Sequence, residues 1–210
     1  MIERMVGKKA PHFEMNALLV DKSFGKVSLK ENMEREKWTV LLFYPMDFTL
    51  VCPTEITAVS DRYDEFKELD TEVIGISTDS VYAHLAWVNT ERFQNGVGKL
   101  NFSLASDSNH RVCKQYGVLV EEEGVALRGL FIISPTGDLR YQTVFDNNIG
   151  RDVDELLRVL QANRWIMPSK LASRWSDTLN VFAYDSKELG GIVYEVTCSD
   201  AFARWSTVVK

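Results

Sequence analysis

Of the three cysteines in this chain, at 52, 113 and 198, Cys52 stands in the setting best suited to chemistry. It lies in the stretch Phe43-Tyr44-Pro45-Met46-Asp47-Phe48-Thr49-Leu50-Val51-Cys52-Pro53-Thr54-Glu55. An apolar, β-rich run from Trp38 to Tyr44 ends at Pro45, and after a loop over 45–51 the residues Ile56, Val59, Tyr63 and Phe66 recur at helical spacing. Cys52 therefore falls in or just before the first turn of a helix. Pro53 is at home there, because its missing N–H removes no hydrogen bond. Free backbone N–H groups and the positive end of the helix dipole favour an anion at that point. The Thr49 hydroxyl is close enough along the loop to bond a thiolate or a bound oxygen. The plainer reading makes Cys52 a small buried hydrophobe, the usual fate of a lone cysteine. Spacing alone leaves both open.

The other candidates are weaker. Cys113 falls on a short helix with His110 three residues earlier on the same face. A metal at that pair needs two further ligands, and no C-x-x-C, H-x-x-x-H or H-E-x-x-H spacing exists to supply them. Cys113 reads as structural, His12 and His84 as packing or surface histidines, and Trp87 as a core or interface aromatic. No metal and no organic cofactor is expected.

The elements that must position Cys52 follow from periodicity and turn chemistry. Residues 12–36 suggest short strands or loops. Trp38 to Tyr44 is a strand buried on both faces, and Glu72 to Ser77 a second. Asp79 and Ser80 can cap a helix running through Trp87 to about Thr90. A third strand at 101–105 precedes a short helix over 109–116, stopped by Gly117. Leu127 to Ile133, the turn Ser134-Pro135-Thr136-Gly137, and Asp138 to Phe145 make a hairpin. Val153, Leu156, Leu157 and Leu160 mark a last amphipathic helix. The pattern is α/β: a central mixed β-sheet flanked by helices, in one domain over residues 1–165. Residues 166–210 differ in kind, with balanced charges and little periodicity apart from a strand at Ile192 to Val196.

Composition sets the outer limits. Of the 210 residues 45% are hydrophobic and 26% charged, which excludes a mainly disordered chain. A net charge of −6 argues against a nucleic acid or an anionic membrane as partner. The first residues mix charge with apolar side chains, unlike a secretory signal, and the longest apolar run falls short of the roughly 20 residues that span a bilayer. An odd number of widely spaced cysteines does not make a secreted disulfide framework. A cytoplasmic protein is expected.

The stretch Phe43 to Glu55 resembles the active-site signature of the peroxiredoxins, specifically the typical two-cysteine group that includes the peroxidase subunit of alkyl hydroperoxide reductase. Ala83-His84-Leu85-Ala86-Trp87-Val88-Asn89-Thr90 and Gly124-Val125-Ala126-Leu127-Arg128-Gly129-Leu130-Phe131-Ile132 resemble family segments in family order. The resemblance implies a thioredoxin-like fold over residues 1–165 and thiol-dependent reduction of hydrogen peroxide and organic hydroperoxides. It places Cys52 as the peroxidatic nucleophile that becomes a sulfenic acid. Thr49 is then its hydroxyl partner and Arg128 the arginine that stabilises thiolate and transition state. Pro45 shields the pocket, and Glu55 orients the arginine. Partners implied are a hydroperoxide, a thiol reductant such as thioredoxin or a dedicated flavoprotein reductase, and a second copy in a homodimer or a ring of dimers. Asn95-Gly96-Val97-Gly98 matches only partly the Gly-Gly-Leu-Gly segment of that family. Two rivals remain in view: a redox-sensing or holdase-type assembly with little turnover, and a thioredoxin-type reductase, whose C-x-x-C is missing at Cys52.

The chain departs from that family after its last helix. Where members carry a resolving cysteine in a segment like Gly-Gly-Leu-Cys-Pro-Ala-Asn-Trp, this sequence has Gln161 to Ala172 without a cysteine. Codons allowed for Asn163 to Ala172, read one nucleotide later, can spell Thr-Gly-Gly-Leu-Cys-Pro-Ala-Asn-Trp. A frameshift near residue 162 is the origin this suggests for the tail. Cys198 is the one cysteine there that could take over as resolving thiol; the alternative is an incidental cysteine, leaving Cys52 to work as a one-cysteine enzyme.

Overall fold

The computed structural model describes residues 5–165, 179–186, 191–198 and 205–209, with side chains through residue 164. The described chain falls into two units, Met1–Arg164 and Trp165–Lys210. The elements of the first, in order, are β1 (Glu14–Leu18), β2 (Phe24–Ser28), α1 (Leu29–Glu34), β3 (Trp38–Phe43), α2 (Cys52–Asp61), α3 (Tyr63–Glu68), β4 (Thr71–Ser77), α4 (Val81–Asn89), β5 (Ser103–Ser106), α5 (Arg111–Gln115), β6 (Leu119–Val120), β7 (Val125–Ala126), β8 (Arg128–Ile133), β9 (Leu139–Phe145) and α6 (Val153–Trp165).

Seven of these strands form one sheet in the order β2-β1-β5-β4-β3-β8-β9. β3, β4 and β5 run parallel, and every other pairing is antiparallel, so the sheet is mixed. Burial explains the middle. All six residues of β3 and all six of β8 are buried, as a strand covered on both faces requires. The centre of one face is aromatic: Phe43, Tyr116 and Phe131 meet with ring centroids 4.9–5.5 Å apart. A buried side chain of that size contributes about 1.5–3 kcal/mol.

Local chemistry sets the element ends. The Ser80 side chain accepts from the Ala83 N–H at the start of α4, as its position predicts. Gly117, at φ +67°, takes the left-handed turn that stops α5. Two features differ from the sequence reading. The segment before β3 holds a short helix, α1, capped by Ser28, as well as two strands. The helix expected from Ile56 through Phe66 is two helices, because Arg62 leaves helical geometry at φ −106°, ψ 18°, where its guanidinium pairs with Glu65 and Asp154.

The second unit contains a three-stranded antiparallel sheet, β10 (Leu179–Ser186), β11 (Gly191–Cys198) and β12 (Trp205–Val209), with β11 central. The strand expected at Ile192 to Val196 lies within β11. Among the described residues no helix is long and apolar enough to cross a membrane.

Candidate active site

Topology brings three separated parts of the chain to one end of the sheet. β3 and β8 are antiparallel neighbours, with Leu42 opposite Leu130, so the end of β3 lies beside the start of β8. The chain leaving β3 turns through a loop over 44–51 and enters α2 at Cys52, while Arg128 is the first residue of β8. The residues just before α6 complete the cluster.

Cys52 is fully buried, and its Sγ lies 3.4 Å from Nη1 of Arg128. The same Nη1 donates to Oε2 of Glu55, one turn further along α2. Nε of Arg128 donates to the Asn147 carbonyl at 3.0 Å, which fixes the plane of the guanidinium. Only 2% of Arg128 is exposed, so it is not a surface residue of its strand.

Glu55 is shared with a second arginine that the sequence reading missed. Arg151 donates to Oε1 of Glu55 from its backbone N–H at 2.6 Å and from Nε at 2.9 Å, and reaches Oε2 from Nη2 at 3.3 Å. Its Nη1 donates to the carbonyls of Phe43 at 2.8 Å and Gly129 at 2.7 Å. Burial pulls the Arg151 guanidinium pKa below the usual arginine value, and the Glu55 carboxylate works against that shift. Arg151 stands beside Asp152, Asp154 and Glu155. From sequence that run reads as the acidic first turn of a helix, and nothing local marks the arginine.

The charges can be counted. Two buried guanidiniums face one carboxylate, leaving one positive charge uncompensated among buried groups. A negative sulfur at Cys52 would neutralise the cluster, and the nearest donor to it is already in place. This is a site arranged to hold an anion on sulfur, and on any oxygen that the sulfur attacks.

The loop that leads into Cys52 is tied down from outside. The Tyr44 hydroxyl donates to Oδ1 of Asp47 at 2.9 Å, and Nδ1 of His84 lies 2.8 Å from Oδ2 of the same carboxylate. The Asp47 backbone N–H donates to Asp79 at 2.9 Å. Burial pushes the Asp47 pKa up, against its hydrogen bond from His84. His84 is thus a fully buried packing residue on α4, never a surface one, and it carries a charged partner. Pro45 is buried within this loop. The Thr49 hydroxyl donates to the Met46 carbonyl at 3.1 Å, so it closes the loop on itself rather than meeting Cys52.

Comparison with known proteins decides the family. The model of the AhpC/TSA family matches residues 6–142. YkuU of Bacillus subtilis, which carries the peroxiredoxin name, is 72% identical over 162 residues, 77% of this chain and 90% of that protein. The chain belongs to the AhpC/TSA family. The Arabidopsis thaliana chloroplast 2-Cys peroxiredoxin BAS1 is 51% identical over 77% of this chain and 60% of its own length. The reduced Plasmodium vivax 2-Cys peroxiredoxin superposes with a TM-score of 0.75 at 40% identity, over 78% of this chain and 83% of that one. Enterococcus faecalis AhpC gives 0.73 at 35% identity, over 78% and 95%. The sheet and helices described above are therefore the thioredoxin-like peroxiredoxin fold, and the chain is a thiol-dependent peroxidase.

Within this peroxiredoxin Cys113 is unlike Cys52. Cys113 is buried in the core beside Asp107, whose carboxylate accepts from the Cys113 backbone N–H at 2.6 Å. Burial, then the Asp107 charge, push its thiol pKa far above the ordinary value. Cys198 closes β11, and its side chain lies outside the described residues. Among the described residues no three His, Cys, Asp or Glu side chains group as a metal site.

Proposed function

We propose that Cys52 is the peroxidatic cysteine of this enzyme. The observation that carries the reading is the buried cluster in which Arg128 and Arg151 outnumber Glu55 by one positive charge, 3.4 Å from Sγ. The thiolate attacks the terminal, OH-bearing oxygen of a hydroperoxide, the S–O bond forms as the O–O bond breaks, and the leaving oxygen takes a proton from solvent and departs as water or an alcohol. Sulfur is oxidised to a sulfenic acid. Arg128 holds the negative charge through this step; Glu55 and Arg151 hold Arg128; Pro45 shields the site; Thr49 supplies a hydroxyl once its bond to Met46 is exchanged.

The sulfenic acid returns to the thiol through a thiol reductant, which forms a disulfide and releases water. Because the position after the last helix holds no cysteine, an external thiol takes this part, and Cys198 is the internal candidate. Residues 166–210 are read as an appendage to the peroxidase domain, with a shifted reading frame as its origin. Action in the cytoplasm, and assembly as a homodimer or a ring of dimers, belong to the same reading. A relative, Plasmodium yoelii Prx1a modified at its N-terminus, forms an artifactual octamer.

The test is intact mass with peptide mapping, without reductant, after one equivalent of hydrogen peroxide. Sulfenic or sulfinic acid confined to Cys52 is expected. A Cys52–Cys198 disulfide would assign the resolving step to the tail. An unmodified Cys52 would overturn the proposal.

A further inference from the structure

Phe48, in the loop before Cys52, has φ +57°. A bulky aromatic rarely adopts that left-handed geometry, and holding it there stores strain that something else must oppose. The restraint comes from a segment far away in sequence. Nδ2 of Asn95 donates to the Phe48 carbonyl at 2.8 Å. The Phe48 ring rests near Trp87, and the Trp87 indole N–H donates in turn to the Asn95 carbonyl at 3.0 Å.

Asn95 is a firm anchor. Its own φ is +66°, a geometry asparagine tolerates. The next residue, Gly96, packs so closely that a Cβ there would stand 2.0 Å from the Thr90 carbonyl oxygen. Gly96 N–H donates to Glu91, Val97 N–H to Trp87 and Gly98 N–H to Thr90. The same segment grips the far end of α2, where Arg92 pairs with Asp61 through two bonds of 2.6 and 2.8 Å. α2 has no side-chain cap at its own N-terminus. Residues 91–98 therefore hold the loop that leads into α2 at one place and the last residue of α2 at another.

We propose that Asn95 is a positioning residue for the Cys52 reaction: through the Phe48 carbonyl it holds the Pro45–Leu50 loop in the shape that a small hydroperoxide needs and that keeps larger reagents away from the buried sulfur. This rests on Cys52 being the peroxide-reactive thiol. Asn95 touches no reacting atom and acts through the loop alone.

The substitution Asn95→Gly keeps the left-handed backbone and removes only the amide. Asn95→Asp also keeps the backbone preference but sets an oxygen against the Phe48 carbonyl. Three quantities are measured in each: the second-order rate of Cys52 oxidation by hydrogen peroxide, the rate of Cys52 alkylation by iodoacetamide, and the urea midpoint. Asn95→Gly is expected to slow peroxide oxidation about tenfold, the worth of one hydrogen bond. Asn95→Asp should slow it more, with alkylation unchanged or faster in both. Peroxide rates within twofold of wild type in both variants would overturn the inference. So would peroxide and alkylation rates that fall together with the urea midpoint, which mark a structural role only. A wild-type Cys52 inert to peroxide is a different result, since it removes the proposed function itself.

Discussion

Cys52 and Cys113 are both fully buried, and both lie on short helices packed against the same sheet. What separates them is the sign of the charge alongside. Cys52 has a guanidinium 3.4 Å from its sulfur and a second one behind it. Cys113 has the Asp107 carboxylate, which accepts its backbone N–H and repels a negative sulfur. Burial alone makes a cysteine inert, since it penalises the thiolate. Beside Cys52 the uncompensated charge is positive, and a buried charge is felt more strongly than one in water. Neither exposure nor helix position separates the two thiols; the charge of their neighbours does.

The comparison breaks most easily at Arg128. Replacing it with Met removes the nearest donor to sulfur and leaves Glu55 with Arg151. Peroxide oxidation of Cys52 should fall by about 10²–10³-fold, the cost of losing one donor aimed at developing charge. Stopped-flow fluorescence or competition with a second peroxidase measures it, and a loss below about tenfold would show that Arg151 alone suffices.

A smaller effect is expected from Cys113, read through pH. Its thiol stays protonated in the native state at pH values where the unfolded chain, with a thiol near 8.5, has lost the proton. The unfolded state then binds fewer protons, so this contribution is complete below pH 8.5 and is lost as pH rises. Between pH 8.5 and 10 the stability of wild type relative to Cys113→Ala should decline by about 1–2 kcal/mol in urea titrations. A constant difference across that range would mean Cys113 is not shielded as its surroundings imply.

The smallest effect belongs to an arginine–carboxylate pair without burial. Arg158 meets Glu155 through bonds of 2.7 and 2.8 Å in open solvent. Arg158→Ala should leave both the urea midpoint and the peroxide rate where they were. Movement in either would mean that geometry, rather than desolvation, makes the Arg128–Glu55–Arg151 cluster important.

How much of this was legible beforehand depends on the range of the interaction. Trp38 to Phe43 announced a central strand because every residue in it is apolar or β-branched. Ser80 announced a helix start, and the turn Ser134 to Gly137 announced a hairpin, because caps and turns are local chemistry. The resemblance placed Cys52, Glu55 and Arg128, which the structure brings together. Arg151 escaped because it meets Glu55 across 96 positions of sequence and sits among acids. His84 was undervalued for the same reason, its partner Asp47 lying 37 positions earlier. Asn95 stood in the sequence only as the first residue of a partly matching segment, and its 47-residue reach to Phe48 had no local signal. Thr49 gives the reverse lesson: the loop puts its hydroxyl near sulfur in sequence, yet the nearer Met46 carbonyl takes it first.

Arg151 also finishes the sheet. Its Nη1 donates to the Phe43 and Gly129 carbonyls, just past the pair Leu42–Leu130 that ends the pairing of β3 with β8. Strand ends ordinarily fray, exchanging their amide hydrogens with solvent long before the middle does. Here the end beside Cys52 is stapled from within by a side chain of the buried charge cluster. Deuterium should therefore enter slowly at this end of the sheet, and loss of Arg151 should loosen the weave beneath the cluster. In Arg151 the charge cluster around Cys52 and the sheet's fastening share one side chain.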